Sequence, residues 1–177
     1  MDEILIRPVA PADLPDLKRV HDLAFGGPDE ARLVELLHGR GKAVVSLAAL
    51  SQGNIVGHIL FSPVSFRPPH PEIRALGLAP LAVLPEDQNQ GIGALLTRRG
   101  LADCETCGWQ VVFVLGHPTY YPRFGFRPAD ELGLDNEYGA GEAFMALELV
   151  PHTLDGIRLE SIRPVACYAD EFKEIGV

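Results

Sequence analysis

The segment from Ala75 to Leu115 constrains the fold more than any other part of the chain. A run of apolar residues from Ala75 to Leu84 leads through Pro85-Glu86-Asp87-Gln88-Asn89-Gln90 into Gly91-Ile92-Gly93. The residues after it carry helical spacing to about Cys107, where Gly108 supplies a stop, and Gln-Val-Val-Phe-Val-Leu then closes the segment at Leu115. A short run that is apolar on every residue suits a strand buried on both faces, and two such strands joined by a helix pair in parallel. Such a sheet needs cover on both sides, which places the chain in the α/β class. Ile92, Leu95, Leu96 and Ala102 are read as the inward face of the helix, with Arg99 falling among them. Pro80 lies inside the first run. It has no N–H to give a ladder, so the strand there must be an edge, bulged, or splayed from a neighbour.

The remaining elements follow from local signals. Residues 3 to 8 read as a first strand stopped by Pro8, and Asp13 is read as the cap of a helix over about 12 to 25. That helix turns Leu14, Leu17, Val20, His21 and Ala24 inward and ends at Gly26-Gly27-Pro28. A second helix runs from Asp29 to His38. Strands over Ala43 to Leu50 and Ile55 to Phe66 form a hairpin at Ser51-Gln52-Gly53-Asn54, and the strand at Ala75 follows a proline-rich loop. The order is therefore β-α-α-β-β-β-α-β, continued by a helical turn near Thr119 to Phe124 and a strand at Ala143 to Val150. No element is assigned beyond Pro151. No repeat, charge block or low-complexity linker divides the chain, which reads as a single α/β domain over 1–177.

Composition removes several classes of function. Fifteen Lys and Arg against 24 Asp and Glu leave a net charge of −9 in 177 residues, so phosphate backbones and anionic lipid surfaces are repelled. Neither nucleic acid nor membrane is expected as a partner. The Ala75–Leu84 run falls well short of the about 18 apolar residues of a membrane helix. An acidic N-terminus without an apolar stretch behind it and three cysteines, too few for a disulfide framework, point to the cytoplasm. Cys104-x-x-Cys107 lacks a second ligand pair for zinc and falls late in a helix, away from the end that activates a thiol, so no metal is expected.

The glycine loop carries the chemistry. Glycines entering a helix bring free N–H groups and the positive end of the helix dipole to one place, which favours an anion. A P-loop would continue Gly-Lys-Ser/Thr, but Ala94-Leu95 follows Gly93; a dinucleotide fingerprint would place its third glycine at Leu96. Both common nucleotide readings fail.

The flanks are specific. Gln88-x-x-Gly91-x-Gly93, preceded by a Leu-x-Val strand and Pro85, resembles the acetyl-CoA-binding signature of the GNAT superfamily of N-acetyltransferases. Tyr121, four residues before Gly125-Phe126, resembles the superfamily's tyrosine. The resemblance is strongest over 3–150, leaving a C-terminal segment at 151–177. Within the superfamily, Gly57-His58-Ile59-Leu60-Phe61-Ser62 and Leu115-Gly116-His117-Pro118 resemble the small bacterial acetyltransferases of the YhbS type.

That resemblance implies a GNAT fold: a mixed central sheet splayed at strands 4 and 5, with helices on both faces. It implies an enzyme moving the acetyl group of acetyl-CoA, as cosubstrate, directly to a primary amine of a small molecule or peptide. Net charge suits a cationic acceptor, and a homodimer is a common assembly in the family. The pyrophosphate falls to the backbone of Gln88, Asn89, Gln90, Gly91, Ile92, Gly93 and Ala94, and the pantetheine amides to Leu81, Ala82 and Val83, as an added strand would pair. An N–H at Ala82 or Val83 meets the oxyanion. Tyr121 is the general acid for the departing thiolate, and Tyr120 points elsewhere. The base is open. The strand before the loop has no carboxylate, Glu72 and Glu86 bracket it, and His58 or His117 can end a water chain. His117 is the candidate base or relay because it follows the buried strand at the sheet end where ligands bind. An already neutral amine needs no base. The alternative function is an acyl-CoA-binding sensor without catalysis.

Overall fold

The computed structural model describes residues 3–159 and 161–176. Among them, nine strands form a mixed sheet. The chain builds two compact units that it visits alternately. The first holds the described residues up to Ser62, Ala79–Asp103 and the described residues from Asp170; the second holds Pro63–Leu78 and Cys104–Ala169.

The first unit opens with β1 (Ile4–Pro8), α1 (Leu14–Phe25) and α2 (Asp29–Gly39), followed by β2 (Val45–Ser51) and β3 (Asn54–Arg67). The three strands are antiparallel, Ile4 opposite Ser51 and Val45 opposite Phe61. The β2–β3 turn places Gln52 and Gly53 at φ 50° and 83°, two left-handed residues that match the twist of a tight hairpin. Leu17, Val20 and His21 of α1 and Leu33 and Leu37 of α2 are buried, as their spacing predicts; Leu36, also expected inward, is half-buried, and Val34 is buried beside them. Asp13 departs from its predicted role. Its carboxylate turns back to accept from the Ala10 N–H at 2.7 Å and from both terminal nitrogens of Arg7, because a cation on β1 offers a stronger partner than the first helical amides.

β4 (Ala75–Val83), α3 (Ile92–Thr106) and β5 (Val111–Leu115) form the predicted parallel unit. The ladder runs from Ala75↔Val111 to Leu78↔Val114 and stops there, while β4 continues through Pro80 to Val83. Side chains alternate across β3, so the two faces of the first unit carry different helices. A Cβ on Gly57 would stand 3.1 Å from Leu96 of α3, and one on Gly100 would meet the Phe61 ring, so Gly57 and Phe61 face α3. His58 faces the other way, toward His21 of α1. The inward face of α3 is Ile92, Leu96, Thr97, Gly100, Leu101 and Cys104; Leu95 is exposed, and so is Ala102. The predicted phase was displaced because Gly100, with no side chain of its own, seats the Phe61 ring.

In the second unit β5 pairs antiparallel with β8 (Phe144–Glu148), which pairs with β6 (Arg127–Pro128). β7 (Asp135–Asn136) runs parallel to β9 (Val165–Cys167), and β9 pairs antiparallel with the end of β3, Ser65 opposite Cys167. The unassigned C-terminal segment thus contributes a strand. Its last element, α4 (Glu171–Glu174), belongs to the first unit, where the buried Glu171 carboxylate bonds Arg40 and Lys42. Among the described residues no helix is long and apolar enough to cross a membrane.

Candidate active site

The glycine loop is seated by packing from beneath. Ile92 and Leu96 rest on Gly57, where a Cβ would come within 3.3 Å of both side chains and 3.2 Å of the Ala82 carbonyl oxygen. Only glycine lets α3 approach the strands this closely. The loop itself, Gln88 to Gly91, is exposed. Gly91 adopts φ 87° with open space around it, so the backbone turn rather than crowding demands glycine, and its carbonyl accepts the Leu95 N–H at 3.0 Å. The N–H groups of Ile92, Gly93 and Ala94 stand in the first turn, where a helix offers no acceptor. They stand at the positive end of a 15-residue helix, a position that favours an anion. Two side chains brace the loop: Gln88 Nε2 donates to the Val83 carbonyl at 3.0 Å, and Gln90 Nε2 donates to the Glu86 carbonyl at 3.2 Å.

Strand alternation then orients the backbone of β4. The Leu84 N–H donates to the Val56 carbonyl at 2.9 Å, and the Ala82 carbonyl faces Gly57, so these residues address β3. Leu81 and Val83 address the opposite direction, away from β3. Of the two candidate N–H groups, Val83 is the outward one.

Tyr121 and His117 lie in the second unit, in the turn that follows β5. Tyr121 begins a 3-10 turn that Gly125 closes at φ 94°. Its ring lies on Gly116 and meets Phe126 edge-on at 5.7 Å. Burial pushes the phenol well above its ordinary value, so at neutral pH it keeps its proton and stays a donor. The Tyr120 ring carries the Arg123 guanidinium 4.4 Å from its centroid, apart from this role. His117 is exposed, and its carbonyl accepts the Tyr120 N–H at 3.0 Å. Glu72 is exposed and bonded to His70. His58 is wholly buried, with both ring nitrogens held by Ser46 and His21 and its basicity suppressed by burial. A buried imidazole engaged on both sides is a poor receiver for a substrate proton.

Tyr168, in the C-terminal segment, escaped the sequence reading. Its ring occupies the space above Gly77, where a Cβ would be 2.2 Å from Cε1, and its hydroxyl donates to the Phe113 carbonyl at 3.2 Å. The lone glycine inside an apolar strand was the signal that something approached closely. Among the described residues no group of three or more His, Cys, Asp or Glu is placed to hold a metal.

Comparison with known proteins agrees with this geometry. The model of the acetyltransferase (GNAT) domain matches residues 5–129. The uncharacterized N-acetyltransferase YjhQ of Escherichia coli K12 is 40% identical over 154 residues, which is 82% of this chain and 85% of that protein. The crystal structure of the N-acetyltransferase YhbS from Escherichia coli in complex with CoA superposes with TM-score 0.89 at 28% identity, covering 100% of this chain and 96% of that one. A GNAT family acetyltransferase from Brucella melitensis in complex with acetyl-CoA gives TM-score 0.77 at 29% identity, covering 97% and 99%. The domain match over residues 5–129 and the 40% identity to YjhQ lead to one conclusion: the chain belongs to the GNAT acetyltransferase family.

Proposed function

We propose that this protein transfers the acetyl group of acetyl-CoA directly to a primary amine carried by a small molecule or a peptide. The observation that carries the reading is the exposed Gln88–Gly91 loop, which ends in the unpaired first-turn N–H groups of α3 and is tied by Gln88 to the carbonyl of Val83. That arrangement fits a pyrophosphate on the N–H groups of Gln88 to Ala94 and a pantetheine arm beside Leu81 and Val83. The cosubstrate supplies the acetyl group as a thioester. The Val83 N–H donates to the carbonyl oxygen as negative charge develops there, the better of the two candidates because Ala82 addresses β3. Tyr121 donates its phenolic proton to the departing sulfur. His117, exposed at the end of β5, takes the proton that the amine releases. Three free cysteines fit a reducing compartment, and the cytoplasm is the location we infer.

A second reading, an acyl-CoA sensor, draws support from β4, whose sequence ALGLAPLAV contains no carboxylate. Two measurements decide. Calorimetry with acetyl-CoA and CoA is expected to give micromolar or tighter binding, and no detectable binding refutes both readings. A panel of amines assayed for free-thiol release is expected to yield turnover with at least one class; tight binding with no turnover across the panel leaves the sensor.

A further inference from the structure

The buried imidazoles that acetyl transfer leaves unused form one hydrogen-bonded array within the first unit. His38 Nε2 lies 3.0 Å from Ser46 Oγ, Ser46 Oγ lies 2.8 Å from His58 Nε2, and His58 Nδ1 lies 2.8 Å from His21 Nε2. The array thus runs from α2 through β2 and β3 to α1. His21 and His58 are wholly buried, whereas His38 and Ser46 are half-buried, so water meets the array at the α2 end. At the inner end His21 Nδ1 is buried without a hydrogen-bond partner, and the His21 ring stacks on Phe25.

Three neutral imidazoles and one hydroxyl supply a hydrogen for each of the three contacts, in either direction along the array. An added proton therefore breaks no contact by itself; on His21 or His58 it places a charge away from water, with Asp22 the carboxylate that acts on His21. The surrounding charges compensate only in part, since burial outweighs the pull of Asp22 on His21. On α1, Asp22 lies beside His21 but is paired with Lys18, on which Glu35 of α2 also acts, and Arg19 donates to the Ile55 carbonyl. On β1, Arg7 is paired with Asp13. β2 contains no charged residue, and the rest of β3 contains only the exposed Arg67. The charges that act on His58 are those of His21 and His38. α3 lies against the opposite face of β3.

We propose that this array is a proton-operated latch, which pins the α1–α2 pair to the β2–β3 hairpin while its imidazoles are neutral and releases the pair when the medium acidifies. The strands stay together through their backbone ladder, while the two helices attach through side chains alone. In the closed form burial holds His21 down to about 4 and His58 well below its ordinary value, whereas in the open form both return to the ordinary imidazole value near 6.5. Opening therefore takes up a proton on each imidazole as pH falls below about 6, and its equilibrium constant rises toward a hundredfold per pH unit there.

Amide hydrogen exchange on the full chain from pH 7.5 to 4.5, corrected for the intrinsic pH dependence of exchange, tests this. Protection of Leu14–Gly39 is expected to fall about a hundredfold per pH unit below about pH 6, while Val111–Leu115 stays protected. His58→Gln, which keeps hydrogen bonding without titrating, is expected to reduce the slope to about tenfold per unit. The wild-type chain decides the matter even if that variant does not fold. The latch is overturned if α1–α2 protection is flat to pH 4.5, if its slope is below tenfold per unit, or if Val111–Leu115 loses protection in step. It is equally overturned if the imidazole resonances of His21 and His58 show charging while α1–α2 remains protected.

Discussion

The Tyr121 ring lies against the backbone of Gly116 so closely that a Cβ at Gly116 would stand 2.3 Å from its Cε2 atom. The glycine after β5 therefore decides where the proposed acid points. Gly116→Ala is expected to displace the ring, destabilising the protein by about 1–3 kcal/mol through overpacking and lowering turnover at least about tenfold. Tyr121→Phe, which keeps the ring, is expected to lower turnover by at least about tenfold with CoA affinity unchanged. Steady-state kinetics and calorimetry on the two variants check both statements, and unchanged turnover in Tyr121→Phe removes its role as acid.

Gly57 governs the seat of α3. A side chain there meets Leu96, Ile92 and the Ala82 carbonyl at 3.1–3.3 Å, and the strand backbone cannot yield without disturbing its ladder. Gly57→Val is expected to push the start of α3 off the strands and weaken CoA binding at least about tenfold, the loss of about 1.4 kcal/mol of preorganised contact. Calorimetry measures it, and near-UV circular dichroism of the tyrosines serves as the check that the second unit remains folded.

Asp13 ties β1 to the start of α1 through Arg7 and the Ala10 N–H, and the guanidinium hydrogen bonds hold its carboxyl down to about 2. A carboxyl with a depressed folded value stabilises the protein above its unfolded value near 3.9, and that stability is lost as pH falls toward 2. Arg7 is 36% exposed, so solvent screens the pair and Asp13→Asn is expected to cost about 1 kcal/mol at pH 7. Denaturant unfolding at pH 7 and pH 3 should show the wild-type advantage shrinking at the lower pH.

Glu171 is the anchor of the chain's end. Its carboxylate is 1% exposed and accepts from Arg40 at 3.2 Å and Lys42 at 2.9 Å, while Arg40 also holds Glu174. Glu171→Ala leaves the two cations free to rehydrate, so the expected cost is moderate, about 1–2 kcal/mol, with earlier proteolytic cleavage before Asp170. Limited proteolysis followed by mass spectrometry reads that cleavage.

Local patterns carried much of this protein. The unbroken apolar runs at Ala75–Leu84 and Val111–Leu115, the hairpin residues Gln52-Gly53 and the loop ending in Gly91-Ile92-Gly93 each encode a backbone conformation in a few neighbouring residues. Those conformations were legible because short-range sterics and hydrogen bonding settle them. The order of strands and helices, and the resemblance to the acetyltransferase family, followed from them.

Contacts between distant residues were decided only in three dimensions. Asp13 had a helix to cap and chose Arg7; α3 turned Leu95 outward because Phe61 needed the space at Gly100. The end of the chain, with no pattern of its own, became β9 and α4 because β3 and β7 offered an edge and Arg40 and Lys42 offered charge. Nothing in the sequence links His21, His38, Ser46 and His58 to one another. They become an array because two helices and two strands bring each within 3.0 Å of the next, a relation that periodicity along a chain does not contain.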